Sequence, residues 1–140
     1  MMTPIILASG SPRRKSLLAS LGVQFSVQTS DAHEPNTGET PADIVEGNAV
    51  IKRDDVVAHV AEASIVIAAD TLVFYKEHVL PKPKDLDDAH RMLRLLSGNT
   101  HQVVTGIAVC HTALLRILRI YIDIRFTALQ TDQQRVITPH

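Results

Sequence analysis

Short apolar runs alternate with segments of helical periodicity along the chain, and this alternation predicts a series of strands and helices. The predicted strands are residues 5–8, 23–28, 64–69, 71–75, 78–80, 101–110 and 116–127. The predicted helices are residues 12–21, 41–57, 85–96 and 131–137. Strands alternating with helices around a buried central strand indicate an α/β fold with helices flanking the sheet.

The same pattern predicts how individual elements pack. In the first helix, Leu17, Leu18 and Leu21 share helical spacing and are expected to face inward. Residues 23–28 alternate between apolar and polar side chains, which predicts a half-buried strand. Residues 64–69 are almost continuously apolar and rich in β-branched side chains, so we expect a strand that is buried on both faces and ends at Asp70.

Local signals mark where the helices begin and end. Ser11, Thr40 and Asp85 each precede a helical pattern and are good N-cap residues, because their side-chain oxygens can accept a backbone N–H bond. Pro12 and Pro41 suit the first helical position, where a missing N–H costs nothing. Gly22, just after the first helix, is a natural residue for the left-handed turn that ends a helix, so the bounds are predicted from both sides.

Composition narrows the class of protein. A chain of 140 residues, 45% hydrophobic and 21% charged, is sufficient for one globular domain with its own core. The net charge of −1 gives no general attraction to nucleic acid or to anionic membranes, so neither is an expected partner. A single cysteine excludes a disulfide framework, and no apolar run approaches a membrane span. These features favour a cytoplasmic protein.

The segment from Ser9 to Lys15 carries the first candidate chemistry. Small residues lead into a helix whose first turn holds Arg13, Arg14 and Lys15, although the helix dipole disfavours cations at that end. Free backbone N–H groups together with guanidinium groups can bind a phosphate. From the residues alone, an anion site and a solvated basic helix start are equally supported.

A second set of residues suggests what such a site would do. Asp70 follows a buried strand, so it must be hydrogen-bonded, paired or bound to a metal, and an Asp that caps a turn through Thr71 is an equally supported interpretation. Glu34 lies in a polar loop, and Lys52 and Lys82 could add positive charge; each is also compatible with an ordinary surface role. Cations, carboxylates and no covalent nucleophile are the groups that metal-assisted hydrolysis of a polyphosphate needs.

The order of the motifs resembles that of the Maf family of nucleoside triphosphate pyrophosphatases. Residues 7–14, Leu-Ala-Ser-Gly-Ser-Pro-Arg-Arg, resemble its opening signature. Later landmarks follow in the family's order over residues 5 to 110. They are Glu39-Thr40-Pro41, Lys52, Ala69-Asp70-Thr71, Lys82-Pro83-Lys84-Asp85, Met92-Leu93 with Leu96-Ser97-Gly98, and His101 with Thr105-Gly106.

The resemblance implies a mixed, mostly buried sheet of the Maf and inosine triphosphate pyrophosphatase type. It implies hydrolysis of a nucleoside triphosphate to monophosphate and pyrophosphate with Mg²⁺ or Mn²⁺, and the first and second motifs resemble the dTTP/UTP branch. Asp70 corresponds to the general base and, with Glu34, to the metal ligands. The substrate-binding positions correspond to Ser9, Arg13, Arg14, Lys52, Thr71 and Lys82.

The chain also departs from the family pattern. His33 stands where an acid usually precedes the loop glutamate, Pro81 replaces a common Gly or Glu, and residues 47–53 replace the usual Leu-Ala-x-x-Lys-Ala. We expect one Maf-like domain over residues 1–140 that lacks the family's C-terminal segment, leaving the distal lobe incomplete.

Other interpretations of the sequence therefore stay open. One alternative is a relative that binds nucleotides and regulates division without catalysis, and another is a fragment that folds with partner chains. The expected partners are a nucleoside triphosphate and, as one option, a second copy of the chain.

Overall fold

The computed structural model of the chain describes residues 3–76, 78–80, 83–113 and 116–127. Its elements are β1 Ile5–Leu7, α1 Pro12–Ser20, β2 Ser26–Val27, α2 Pro41–Val57, β3 Ile65–Tyr75, β4 His78–Leu80, α3 Leu86–Leu96, β5 Thr100–His111 and β6 Arg116–Thr127. The predicted helix over residues 131–137 lies outside the described residues, as do Pro81 and Lys82.

The strands form one mixed sheet in the order β2-β1-β3-β5-β6, with β4 paired to the end of β3. β1 runs parallel to β2 and β3, whereas β5 is antiparallel to both β3 and β6. In this register Leu7 lies beside Ile67, and Asp70 lies beside Gly106. The predicted α/β class, with a mixed sheet and flanking helices, is confirmed.

Helix α2 packs along one face of the sheet and supplies most of the core there. Val45, Ala49 and Val56 are fully buried on its inner side, against side chains from β3 and β5. The approach is closest at Gly106, where an added Cβ would lie 2.5 Å from the carbonyl carbon of Val45. Since no side chain fits that space, a glycine in β5 sets the position of α2 over the strand that carries Asp70.

The predicted helix starts are confirmed at all three N-caps. The side chains of Ser11, Thr40 and Asp85 accept hydrogen bonds from the backbone N–H groups of Arg14, Asp43 and Asp88, respectively. Gly22 adopts φ = 75° just after α1, as expected of the residue that ends it. These positions are determined by local chemistry, which explains why short sequence signals located them.

The expectation that Asp70 ends its strand is wrong. β3 continues through Asp70 to Tyr75 and stays paired with β5 over this length. Burial of a carboxylate within a strand is costly unless its charge is paired, and this one is paired with Lys52. Asp70 therefore projects from the middle of a long strand, while Ser9 does follow the end of β1.

The expected burial of the first helix is also wrong. Leu17 and Leu21 are 62% and 74% exposed, and Leu18 is only partly buried, because no described element packs closely on this side of α1. The expected burial of β3 on both faces is likewise incorrect for Ile65 and Ile67, which are half-buried. The predicted strand over residues 23–28 shortens to the two exposed residues of β2.

Candidate active site

A cleft of about 810 Å³ opens between the start of α1, the middle of β3, and α3. Its polar wall includes the backbone and side chains around Ser9 and Ser11, together with Arg14, Glu34, Lys52, Asp70 and Thr71. Its apolar wall includes Leu80, Met92 and Leu96. A cleft with one charged wall and one apolar wall suits a ligand that joins a charged group to a flat apolar one.

Arg14 holds the first motif against β3. Its Nη1 donates to Ser9 Oγ at 2.9 Å and to the carbonyl oxygen of Ala69 at 3.3 Å, and its Nη2 donates to Thr71 Oγ1 at 2.8 Å. Thr71 Oγ1 also lies 2.9 Å from Thr105 Oγ1 on β5. The guanidinium thus joins the turn after β1 to the strand that carries Asp70.

The electrostatics of Arg14 follow from its position. Burial lowers the pKa of its guanidinium, and the nearby carboxylates of Asp70 and Glu34 raise it in partial compensation. Because an arginine pKa lies far above neutrality, the side chain stays charged. A partly desolvated positive charge at the start of a helix is a suitable group for binding a phosphate.

Asp70 is 4% exposed and has two separate partners. Its Oδ1 lies 3.1 Å from Lys52 Nζ, and its Oδ2 accepts a hydrogen bond from Asn48 Nδ2 at 2.9 Å. Lys52 Nζ also donates to the carbonyl oxygen of Ala69 at 3.2 Å. Both partners come from α2, four residues apart, so this helix orients the carboxylate of the neighbouring strand.

Lys52 also joins the polar loop to the strand. Its Nζ lies 2.9 Å from Glu34 Oε1, so one ammonium group contacts two carboxylates. The structure thereby brings Glu34, Lys52 and Asp70 together, although they lie far apart in the sequence. Two carboxylates at one point of a cleft can bind a cation, and here an ammonium group holds them close to each other.

The described residues that line the cleft do not include two of the predicted site residues. Arg13 is exposed and lines a neighbouring groove with Leu17 and Leu21, and this groove shares Arg14 and Thr71 with the cleft. Lys82 lies outside the described residues, although Pro83, the residue that follows it, lines the cleft. Of the eight predicted residues, the described structure therefore gathers Ser9, Arg14, Glu34, Lys52, Asp70 and Thr71 around one cleft.

Sequence reasoning missed the role of Asn48. The sequence indicated only that Asn48 belongs to residues 47–53, which depart from the family pattern, yet its side chain is buried and contacts Asp70. One signal was available: Asn48 lies four residues before Lys52 and three after Val45, on the helix face that must be inside. A polar side chain at such a position requires a buried partner.

The chain shows similarity to known proteins over most of its length. The Maf-like protein family matches residues 4–136. Curated proteins named dTTP/UTP pyrophosphatase are similar: that of Bacillus cytotoxicus is 49% identical over 109 residues, 77% of this chain and 56% of the relative. The one from Lachnoclostridium phytofermentans is 44% identical over 108 residues, again 77% of this chain, and 55% of the relative.

A longer match and a solved structure extend the comparison. The dTTP/UTP pyrophosphatase of Vibrio cholerae is 38% identical over 136 residues, 94% of this chain and 71% of the relative. The structure of the Staphylococcus aureus Ham1 protein superposes with a TM-score of 0.56 at 16% identity, covering 90% of this chain and 72% of that one. At this identity the superposition shows a shared fold. The chain spans little more than half the length of the first two relatives.

Proposed function

Because the chain belongs to the Maf-like protein family, we propose that it hydrolyses nucleoside triphosphates, with dTTP and UTP as its substrates, to the monophosphate and pyrophosphate. One structural observation carries the proposal. The carboxylates of Asp70 and Glu34, which both contact Lys52, line the same cleft as Arg14 and the start of α1. The names of the relatives support the reaction and the choice of dTTP and UTP.

The charged wall of the cleft would bind the triphosphate. Arg14 would contact the phosphate oxygens, as would Lys52 once it gives up one of its two carboxylate partners. Arg13 in the first turn of α1 and Lys82, which precedes Pro83 in the sequence, are proposed as further cations for the phosphates. The apolar wall around Met92 and Leu96 would cover the base.

Asp70 would act as the general base. Its carboxylate would take a proton from a water molecule as the water oxygen forms a bond to phosphorus. The bond between that phosphorus and the oxygen that bridges the α and β phosphorus atoms breaks, and the bridging oxygen keeps the bonding electrons. It leaves as part of pyrophosphate after attack at the α phosphorus and as part of the monophosphate after attack at the β phosphorus. Attack on the α or the β phosphorus gives the same two products, so the assignment of Asp70 does not depend on which phosphorus is attacked.

The donor set near Asp70 suits Mg²⁺ or Mn²⁺. Asp70 and Glu34 supply hard oxygen donors, and Mg²⁺ is commonly bound by one or two carboxylates plus substrate oxygens. Within the described residues no group of three or more His, Cys, Asp or Glu side chains could hold a metal alone. We therefore propose that a divalent ion binds Asp70 and Glu34 together with the triphosphate, where it would neutralise charge on the phosphate oxygens.

A second candidate is a protein that binds nucleotides without hydrolysing them. The observation that favours it is the pairing of Lys52 with both carboxylates, since Asp70 could not accept a proton freely while it is held by an ammonium. In that case the cleft would bind a triphosphate through Arg14, and Lys52 would keep its present partners.

A release assay across nucleotides separates the two candidates. Pyrophosphate is measured with dTTP, UTP, CTP, ATP and GTP in the presence of Mg²⁺ and again with EDTA. The proposal expects release from dTTP and UTP above the other three, and loss of release with EDTA that added Mg²⁺ or Mn²⁺ restores. Tight binding of UTP with no release from any nucleotide would instead establish the second candidate.

The cellular location and the oligomeric state of the protein stay predictions. None of the described helices is long and apolar enough to cross a membrane. A cytoplasmic location is predicted from the sequence, and a homodimer is an option that sedimentation of the purified chain would test. Leu17 and Leu21, exposed on α1, are the side chains to replace with glutamate if the chain sediments as a dimer.

A further inference from the structure

We propose that Asn48 is a positioning residue that fixes the carboxylate of Asp70 and, at the same time, the loop that carries Glu34. The inference rests on the proposed function, since it assigns Asn48 a part in the same reaction. Asn48 lies in the segment over residues 47–53, where the chain departs from the family pattern. The amide group of Asn48 is buried and makes two hydrogen bonds, one to each of these parts of the site.

The amide of Asn48 uses both of its hydrogens. The residue is 1% exposed, and its Nδ2 donates to Asp70 Oδ2 at 2.9 Å and to Asn36 Oδ1 at 2.6 Å. The orientation of the amide is determined by its partners, because the reverse orientation would place the Asn48 oxygen against a carboxylate oxygen. Asn48 is therefore a double donor between two acceptors.

The bond to Asp70 gives its two oxygens different surroundings. Oδ2 is held by the neutral amide of Asn48, while Oδ1 contacts the ammonium of Lys52. Without Asn48, the carboxylate could rotate and present both oxygens to Lys52, which would hold it in an ion pair. The amide thus keeps one carboxylate oxygen away from the cation, in an orientation suited to accept a proton from water.

The bond to Asn36 reaches the loop over residues 30–39. Asn36 adopts φ = 53°, a left-handed conformation that asparagine tolerates better than most residues, and Glu34 lies two residues earlier. Because Glu34 must reach Lys52 Nζ at 2.9 Å, the backbone of this loop has to stay close to α2. Asn48 provides that attachment, so the two carboxylates are positioned by one side chain.

Two substitutions separate the two bonds. Asn48→Leu keeps the branched shape of the side chain and removes both donors. Asn36→Gly removes only the acceptor in the loop and suits the left-handed backbone at that position. Each purified chain is first checked for folding by circular dichroism. Single-turnover hydrolysis of UTP is then measured at saturating protein, together with the affinity for an α,β-imido analogue of UTP.

The expected results differ between the variants. Asn48→Leu should slow single-turnover hydrolysis at saturation by about tenfold or more, because a hydrogen bond to a charged group is lost. Asn36→Gly should keep the rate at saturation and weaken affinity by about threefold to tenfold, because only the attachment of the Glu34 loop is lost. A merely structural role would change stability in both variants without this division between rate and affinity.

A spectroscopic measurement without turnover tests the bridge, which is the pair of hydrogen bonds from Asn48 to Asp70 and to Asn36. In a ¹⁵N-labelled sample, the two side-chain amide protons of Asn48 should exchange slowly with water. One should shift in Asn36→Gly and the other in Asp70→Ala. Wild-type rates in Asn48→Leu, or amide signals that neither substitution moves, would overturn the inference. A wild-type chain that hydrolyses no nucleotide but shows both shifts would overturn the catalytic role and the proposed function while leaving the bridge established.

Discussion

The contacts of Arg14 explain why basic residues lie at the start of α1, although the helix dipole disfavours cations there. Its guanidinium turns back to Ser9, Ala69 and Thr71, so the residue stabilises the turn after β1 and attaches it to β3. The sequence predicted an anion site and a solvated cluster with equal weight, since a contact between residues 57 positions apart leaves no local signal. The fold shows what the motif could not: Arg14 turns back to β3 and is partly buried, whereas Arg13 is exposed.

This difference predicts different outcomes for two adjacent substitutions. Arg13→Gln should weaken binding of the UTP analogue by about tenfold and leave thermal stability unchanged, because its guanidinium is exposed. Arg14→Gln should weaken binding and also lower the melting temperature, because three hydrogen bonds are lost in a partly buried place. Calorimetric titration and thermal unfolding measure both quantities. Equal melting temperatures for the two variants would contradict the assignment.

For the other site residues too, the sequence predicted some of the features and could not predict others. Asp70 was identifiable, because a carboxylate after an apolar run requires a partner, and Lys52 was one of the cations considered. Their direct contact, and the contact of Lys52 with Glu34, depends on how α2 lies over β3. The role of Asn48 was missed because a departure from a family pattern does not indicate which buried partner the new side chain has.

At the scale of elements, features that depend on local sequence signals were predicted correctly. Features that depend on long-range packing were not. The N-caps and the turn at Gly22 depend on residues within one helical turn, and all were confirmed. The exposure of Leu17 depends on whether another element covers α1, which periodicity cannot indicate. The length of β3 depends on β5, whose pairing carries the strand past Asp70.

The close contact between α2 and β5 gives a prediction with a matched control. Gly106→Ala should lower the free energy of unfolding by about 1–3 kcal/mol, because the new Cβ would meet the backbone of Val45 and Glu46. Gly47→Ala adds the same methyl group on α2, at a position where nothing lies within 4 Å of the added Cβ. That variant should be more stable by about 0.5–1 kcal/mol. Urea unfolding measures both, and a neutral Gly106→Ala would contradict the described packing.

His101, at the start of β5, gives a prediction about pH. The residue is 3% exposed, and burial lowers its pKa below the ordinary value. The unfolded chain therefore takes up a proton first as the pH falls. The contribution of His101 to stability is complete above about pH 6.5 and is lost as the pH falls toward the folded pKa.

The measurement is the free energy of unfolding at several pH values. His101→Gln should lose less stability than the wild type as the pH falls from about 7.5 to 5. His90→Gln changes an exposed histidine on α3 and should keep the wild-type dependence. If His101→Gln lost stability as steeply as the wild type, burial of this histidine would not be the cause.

At the scale of the whole molecule, the chain combines a neutral overall charge with a strongly charged cleft. The net charge of −1 leaves no general attraction for anions, so binding of a triphosphate has to come from groups gathered locally. Arg14 and Lys52 provide such groups on one wall of the cleft, beside Asp70 and Glu34. The family and the fold class could be predicted from several spaced motifs together, because their order along the chain reflects one topology.

The most direct test of the central claim is to identify the products that the chain forms from UTP. Wild type and Asp70→Asn are incubated with UTP and Mg²⁺ and followed by ³¹P NMR. We expect UMP and pyrophosphate in equal amounts from the wild type, and a rate at least about 100-fold lower from Asp70→Asn, because the general base is lost. Formation of UDP and phosphate, or equal rates from the two proteins, would contradict the account.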